Sequence, residues 1–265
     1  MIAEIISVGT EILLGNILNT NAQYLSKKLA ACGVEVHYQT VVGDNPARIM
    51  DAIKIAFSRS DMVIMTGGLG PTKDDLTKEM LAAYFHKELV YDEKALAQMS
   101  RRLKAVEKES LAQSLRKQAL VPKDSIILYN HHGTAPGIIM EDDGHKCILL
   151  PGPPKEMEPM LEEYCLDYIH FLSSETIVSM NIKMLDFQHA PVEVVGEAYV
   201  ADTLGDLLDG ANPTVATYAK EDGCLIRISA KGASRQEALQ LMEPYVAEIR
   251  RLLKDEYIAS IQEDI

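Results

Sequence analysis

Ten consecutive residues, Thr66-Gly67-Gly68-Leu69-Gly70-Pro71-Thr72-Lys73-Asp74-Asp75, combine groups that could hold a phosphate with groups that would repel one. Gly67, Gly68 and Gly70 let backbone N–H groups approach an anion closely, and Thr66 and Thr72 add hydroxyl donors. Asp74 and Asp75, with Asp44 in the earlier run Val42-Gly43-Asp44-Asn45, pull the other way. Such carboxylates make sense beside a phosphate if a hard divalent cation lies between them and the ligand oxygens. An ion there would polarise a phosphoanhydride and lower the pKa of a bound water. Alternatively, one of the two adjacent aspartates is simply the N-cap of the helix that follows. Glu11, in Gly9-Thr10-Glu11, is a loop carboxylate of a kind more often merely solvated, and Asn19-Thr20-Asn21 reads in part as an N-cap cluster. His131 and His132 are adjacent, which suits a turn better than a shared ion.

These loops must be placed by the elements around them. Ile2 to Val8 is an apolar run of strand length, and Asn19 to Ala31 then shows helical spacing of Ala22, Leu25, Leu29 and Ala30. Val34 to Val42 is a second strand, Asn45-Pro46 opens a second helix, and Asp61 to Thr66 is a third short apolar run. Strand-helix repeats of this kind predict a mostly parallel sheet in a three-layer α/β/α domain, with ligands bound beyond the carboxyl ends of the strands. Further helices are expected over Leu76 to Phe85, Glu93 to Val106, Leu111 to Leu120 and Lys155 to Leu172, and strands over Ile126 to Leu128, Gly137 to Met140 and Lys146 to Leu150. A boundary near Ser173-Ser174 divides residues 1–172 from a small α+β unit, residues 173–265. That unit reads strand (Thr176 to Met184), helix (Pro191 to Leu208), strand (Thr214 to Tyr218), strand (Leu225 to Ala230) and helix (Arg235 to Leu253). The polar tail Ser260 to Ile265 is expected to be loose.

Composition narrows the partners. With 26 Lys plus Arg against 39 Asp plus Glu, the net charge is −13 and the surface field repels nucleic acid and anionic membrane. The four cysteines, Cys32, Cys147, Cys165 and Cys224, form no Cys-x-x-Cys pair and read as small core residues of a cytoplasmic protein. No apolar run approaches a membrane span.

Several motifs in fixed order resemble the CinA (competence/damage-inducible protein A) family. They are Gly9-Thr10-Glu11-Ile12-Leu13-Leu14-Gly15, Asn19-Thr20-Asn21, Val42-Gly43-Asp44-Asn45 and the loop from Thr66 through Thr77. Downstream, Lys117-Gln118-Ala119, Gly133-Thr134-Ala135-Pro136-Gly137, Leu150-Pro151-Gly152-Pro153-Pro154-Lys155-Glu156-Met157 and Asn212-Pro213-Thr214-Val215-Ala216 continue the likeness. The resemblance implies a molybdopterin-binding-like domain followed by a KH-like domain. It also implies cleavage of ADP-ribose to AMP and ribose 5-phosphate with a divalent metal (Mg, Co or Mn), stimulated by K+, in a homodimer. Carried onto this chain, Asp44, Asp74 and Asp75 are the candidate catalytic residues, with Asp44 and Asp75 as metal ligands. Thr10, Glu11, Asn21, Thr66, Gly67, Gly68, Gly70, Thr72, Lys117, Gly133, Thr134, Pro151 and Gly152 are the candidates for binding the nucleotide and its phosphates.

Two departures accompany the resemblance. Family members usually continue into a nicotinamide-nucleotide amidase domain, whereas this sequence stops at Ile265, so amidase activity is not expected. Ser114-Leu115 stand where the family tends to carry Asn-Asn. The region after Ser174 has no Gly-x-x-Gly loop, which argues against RNA binding. The rival readings are a nucleotide- or molybdopterin-binding protein without turnover and a molybdenum-cofactor transfer enzyme, both permitted by the fold.

Overall fold

The apolar runs at Ile2–Val8 (β1) and Met62–Thr66 (β3) form neighbouring parallel strands in a computed structural model that describes residues 1–103, 116–173 and 175–264. All of β3 is buried, and β1 is buried from Ala3 onward. A strand covered on both faces reads as a continuous apolar run, which is why neither segment alternates. Between them lie α1 (Thr10–Leu13), α2 (Thr20–Ala31), β2 (Glu35–Val42) and α3 (Pro46–Phe57). After β3 come the glycine loop, α4 (Thr77–Tyr84), β4 (Leu89–Tyr91), α5 (Glu93–Leu103), β5 (Leu120–Pro122), β6 (Ile126–Leu128), β7 (Gly137–Asp142) and β8 (His145–Leu150). Then α6 (Pro154–Met160) runs through a π-helical turn, Leu161–Cys165, into α7 (Leu166–Ser173).

The main sheet has the order β2-β1-β3-β8-β7-β6. Its first four strands are mutually parallel, and β7 and β6 close the edge antiparallel. Local signals set the helix starts. Asn45 accepts the Arg48 N–H at 3.1 Å with Pro46 in the first turn, and Asn19 Oδ1 accepts the Ala22 N–H at 3.3 Å. The core joins Ile6, Ile49, Ile53, Met65, Leu81 and Leu149, among others, between the sheet and the helices.

The chain divides into two units, Met1–Leu29 with Glu35–Leu172, and Ala30–Val34 with Ser173–Ile265. The second holds β9 (Thr176–Met184), α8 (Val192–Val195), α9 (Glu197–Leu204), β10 (Thr214–Lys220), β11 (Gly223–Gly232), α10 (Arg235–Leu253) and β12 (Ile258–Glu263). Its sheet is antiparallel throughout, in the order β10-β11-β9-β12. Ile182, Ile226, Ile228, Met242 and Ile249 belong to its separate core.

Several expectations need correction. The tail is not loose: β12 pairs with β9, and Glu263 and Asp264 form ion pairs with Arg235 and Arg227. No residue of β12 is fully buried, and its apolar residues Ile258, Ala259 and Ile261 follow no period of two, so the segment carries no strand signal of its own. The helix expected over Pro191 to Leu208 breaks at Gly196, whose extended backbone starts α9, and a 3-10 turn, Gly205–Asp209, follows. Leu120 opens β5, which pairs with β4, and both strands are too short to show a period. Half of the helix expected from Leu111, the end of the one expected over Glu93 to Val106, and the Ser114-Leu115 pair lie outside the described residues. Among the described residues no helix is long and apolar enough to cross a membrane, and Cys32, Cys147, Cys165 and Cys224 are buried and form no disulfide with one another.

One buried charge anchors the sheet. Glu4, 1% exposed, accepts Arg59 Nε at 2.8 Å, Arg59 Nη2 at 2.9 Å and the Thr40 hydroxyl at 2.6 Å. The guanidinium also stacks on Tyr38 at 3.7 Å from the ring centroid. Arg59→Ala leaves the buried Glu4 carboxylate without its counter-charge and is expected to destabilise the fold, by less than the loss of a fully buried partner because Arg59 is partly exposed. Urea denaturation checks this; a loss under ~0.5 kcal/mol would mean that Glu4 needs no counter-charge.

Candidate functional site

Strand register brings the expected loops to one edge. Val8 lies opposite Val42, Ser7 opposite Thr66, and Thr66 opposite Leu150, so β1, β2, β3 and β8 end together. The loops that begin at Gly9, Gly43, Gly67 and Pro151 therefore leave from the same place. They surround a cavity of about 570 Å³. Asn21, at the start of α2, stitches two of them together by donating to Thr66 Oγ1 at 2.8 Å and to the Gly152 carbonyl at 2.7 Å.

The glycine loop has the shape its composition suggests. Gly67 and Gly68 adopt φ values of 99° and 67°. A side chain on Gly67 would meet the Val8 carbonyl oxygen, and one on Gly68 the Thr77 hydroxyl. The Gly67 N–H is spent on the Leu150 carbonyl at 3.1 Å. Those of Gly68, Leu69 and Gly70, all in the cavity lining, have no acceptor among the described residues. Three consecutive N–H groups without an acceptor, at and after the left-handed Gly68, are thus available to an anion in the cavity.

Of the expected residues, Asp44, Asp74, Asp75, Glu11, Asn21, Thr66, Gly67, Gly68, Gly70, Thr134, Pro151 and Gly152 line the cavity. Thr10, Thr72, Lys117 and Gly133 do not, and bonding explains each. Thr10 donates its N–H and hydroxyl to Asp44 Oδ2 at 2.9 and 2.8 Å. Thr72 donates its N–H to Asp75 Oδ2 at 2.9 Å, and its hydroxyl contacts the same oxygen. Thr66, expected as a phosphate donor, gives its hydroxyl proton to the Pro151 carbonyl at 3.1 Å. Lys117 donates to the carbonyls of Asp75 at 2.6 Å and Thr72 at 3.3 Å and pairs with Glu79 at 3.2 Å, so its charge serves the loop backbone. The Gly133 N–H is held by Asn130 Oδ1 at 2.6 Å.

Neither adjacent aspartate caps α4. Leu76 holds that position without a side-chain bond. A hydrogen bond from Thr72, helped by Asp74's own N–H and by Lys117, holds the Asp74 carboxyl below its usual range. It is therefore ionised at neutral pH. Among the described residues no three His, Cys, Asp or Glu side chains lie close enough to hold an ion by themselves. The donor set instead suits a hydrated cation that takes one or two carboxylates and completes its shell with water and ligand oxygens.

Sequence reasoning missed several groups. Glu156 lines the cavity and is held through Oε2 by Asn130 Nδ2 at 2.8 Å, while Asn130 also organises the turn at residues 130–135. Ile12, Ile17 and Leu18 give the cavity an apolar side. Gln118 lines it too, with Nε2 on the Leu69 carbonyl at 3.1 Å. Lys78, 4% exposed at the start of α4, is a buried ammonium where helical spacing suggests nothing unusual. Only Ile12, Gln118 and Glu156 carried a sequence signal, their places in three of the motifs.

The fold and this edge define a molybdopterin-binding type of domain. The family model described as "Probable molybdopterin binding domain" matches residues 4–170, and the one described as "Damage-inducible protein CinA KH domain" matches residues 194–259. The chain belongs to the CinA family. It is 48% identical over 266 residues to a Clostridium beijerinckii protein described as competence-damage inducible, covering 100% of this chain and 62% of that one. A CinA-like protein of Dictyoglomus turgidum is 48% identical over 259 residues, covering 96% of this chain and 60% of its own length. The chain thus spans less than two thirds of these relatives. Among solved structures, the CinA protein of unknown function from Thermoplasma acidophilum is similar, with 40% identity and a TM-score of 0.56, over 61% of this chain and 94% of that one.

The buried Lys78 makes stability depend on pH. Desolvation pushes its pKa down from 10.5 to about 8, against the pull of Glu79 and with the help of Lys117. Between those values the unfolded chain binds more protons than the folded one, so stability rises with pH, by up to roughly 3 kcal/mol. Wild type should therefore gain on Lys78→Met as pH climbs from 8 to 10 in parallel urea titrations. A constant gap across that window would show that the ammonium is not desolvated.

Proposed function

We propose that the cavity binds the pyrophosphate of a nucleoside diphosphate sugar, in the first instance ADP-ribose, and hydrolyses it to AMP and ribose 5-phosphate. The observation that carries this reading is the run of free N–H groups at Gly68, Leu69 and Gly70 in a cavity also lined by Asp44, Asp74 and Asp75. The N–H groups would take anionic phosphate oxygens and stabilise charge as it develops. Asp44 and Asp75, with Asp74 beside them, would hold a divalent cation, Mg, Co or Mn. Bound there, the cation supplies charge neutralisation and a more acidic water. Thr10 and Thr72 keep two of these carboxylates aimed by occupying one oxygen of each. Glu156, fixed by Asn130, suits donor groups such as ribose hydroxyls, and Ile12, Ile17 and Leu18 suit the face of a base.

A homodimer is part of this proposal, supported by Leu13 and Leu14, which are 53% and 69% exposed outside the cavity. A cytoplasmic location is proposed from the four buried cysteines, which form no disulfide with one another. The description of the matched first domain favours a second reading, a molybdopterin-binding or cofactor-transfer role.

The test is AMP release from ADP-ribose by the purified chain with Mg, Co or Mn, with and without K+, beside Asp75→Ala. Metal-dependent release, lowered about 10- to 100-fold or more in the variant, is expected. Binding of ADP-ribose without turnover would reduce the protein to a nucleotide binder. Adenylation of molybdopterin with no ADP-ribose cleavage would move it to cofactor assembly.

A further inference from the structure

Lys78 is buried and does not line the cavity, yet it is bonded to residues that hold the cavity's anion loop. Its Nζ donates to the carbonyls of Lys117 at 3.0 Å and Gln118 at 3.3 Å. Those two residues reach back. Lys117 Nζ holds the carbonyls of Asp75 and Thr72, and Gln118 Nε2 holds that of Leu69. A side chain from α4 thus grips the backbone at 117–118, while side chains from 117–118 grip the backbone that leads into α4. In a trans peptide the carbonyl and the following N–H point opposite ways, so fixing the Leu69 carbonyl sets the direction of the Gly70 N–H. Fixing the Thr72 and Asp75 carbonyls likewise restrains the turn that carries Asp74 and Asp75.

The clamp uses an expensive group. An ammonium buried against neutral carbonyls is unfavourable, and a methionine would fill similar space without desolvating a charge. The return is mechanical: Lys78 supplies several donors to two successive carbonyls and so locks the orientation of both side chains that leave from that point.

We propose that Lys78 is a positioning residue, which through this reciprocal clamp keeps the loop at residues 68–75 in its anion-accepting shape. The ligand arm of the proposal rests on the pyrophosphate reading above, whereas the clamp itself does not.

Two measurements on wild type, Lys78→Met, Lys117→Met and the double variant test it. The first is amide hydrogen exchange of the ligand-free proteins. Faster exchange is expected in each variant at the two bonded loop amides, Thr72, which donates to Asp75 Oδ2 at 2.9 Å, and Thr77, which donates to the Gly68 carbonyl at 3.3 Å, with the strands β1, β3 and β8 as protected as in wild type. The second is calorimetric titration with ADP-ribose, where each single variant should raise Kd about tenfold, the scale of one charge-assisted hydrogen bond. The double variant should be little worse than the poorer single one, because both residues act through one device.

Unchanged exchange at the Thr72 and Thr77 amides in Lys78→Met overturns the proposal, as does exchange that rises uniformly through the first unit, which would make Lys78 an ordinary core residue. Fully additive losses in the double variant also overturn it. If wild type does not bind ADP-ribose, the ligand reading fails and the exchange arm alone decides the clamp. If Lys78→Met does not fold, Lys117→Met decides by the same local criterion.

Discussion

The Asn21 side-chain amide donates one hydrogen to Thr66 Oγ1 and the other to the Gly152 carbonyl, and segments distant in sequence meet at that point. The Thr66 hydroxyl passes its own proton to Pro151, so the knot has a fixed direction of donation. This orientation leaves Asn21 Oδ1 buried without a partner among the described residues, a cost of about 1–3 kcal/mol. The ends of β3 and β8 are held together by the start of α2. The turn at Gly67 then passes close over the Val8 carbonyl, where a side chain would not fit. Free N–H groups follow because the loop is held from outside and has no need to bond itself.

Threonine has a different role here from the one its chemistry first suggests. Thr10 and Thr72 spend N–H groups and hydroxyls on Asp44 and Asp75. The carboxylates are thereby oriented, while Oδ1 of each has no protein donor among the described residues. Backbone N–H groups are left to the cavity, and side chains are occupied in aiming charge. Division of this kind makes the site rigid before any ligand arrives, which is what electrostatic stabilisation of a reacting anion requires.

Much of this was legible in the residues. The apolar runs at Ile2–Val8 and Met62–Thr66, the Asn45-Pro46 start and the glycine loop point to a parallel sheet with a ligand edge, because each obeys a local rule. Other features obey only tertiary rules. That Lys117 turns toward carbonyls, that Glu156 joins the cavity and that Lys78 is buried depend on which segments the register brings together. In β12, an edge strand with no fully buried residue, polar and apolar residues follow no period of two, and composition alone reads the segment as a tail. The break at Gly196 was hidden because the residues on either side keep a helical spacing across an extended glycine.

The acidic lining has a kinetic side. Glu11, Asp44, Asp74, Asp75 and Glu156 line a cavity in a protein whose net charge is −13, so a bare polyanion approaches against the field. Its association should quicken as salt screens that repulsion, the reverse of ordinary steering. The penalty grows with each charge on the ligand. A diphosphate capped by a sugar at its far end carries fewer charges than a free triphosphate, and is therefore admitted sooner. On the proposed reading, the lining would sort nucleotides by charge before any hydrogen bond reads their shape.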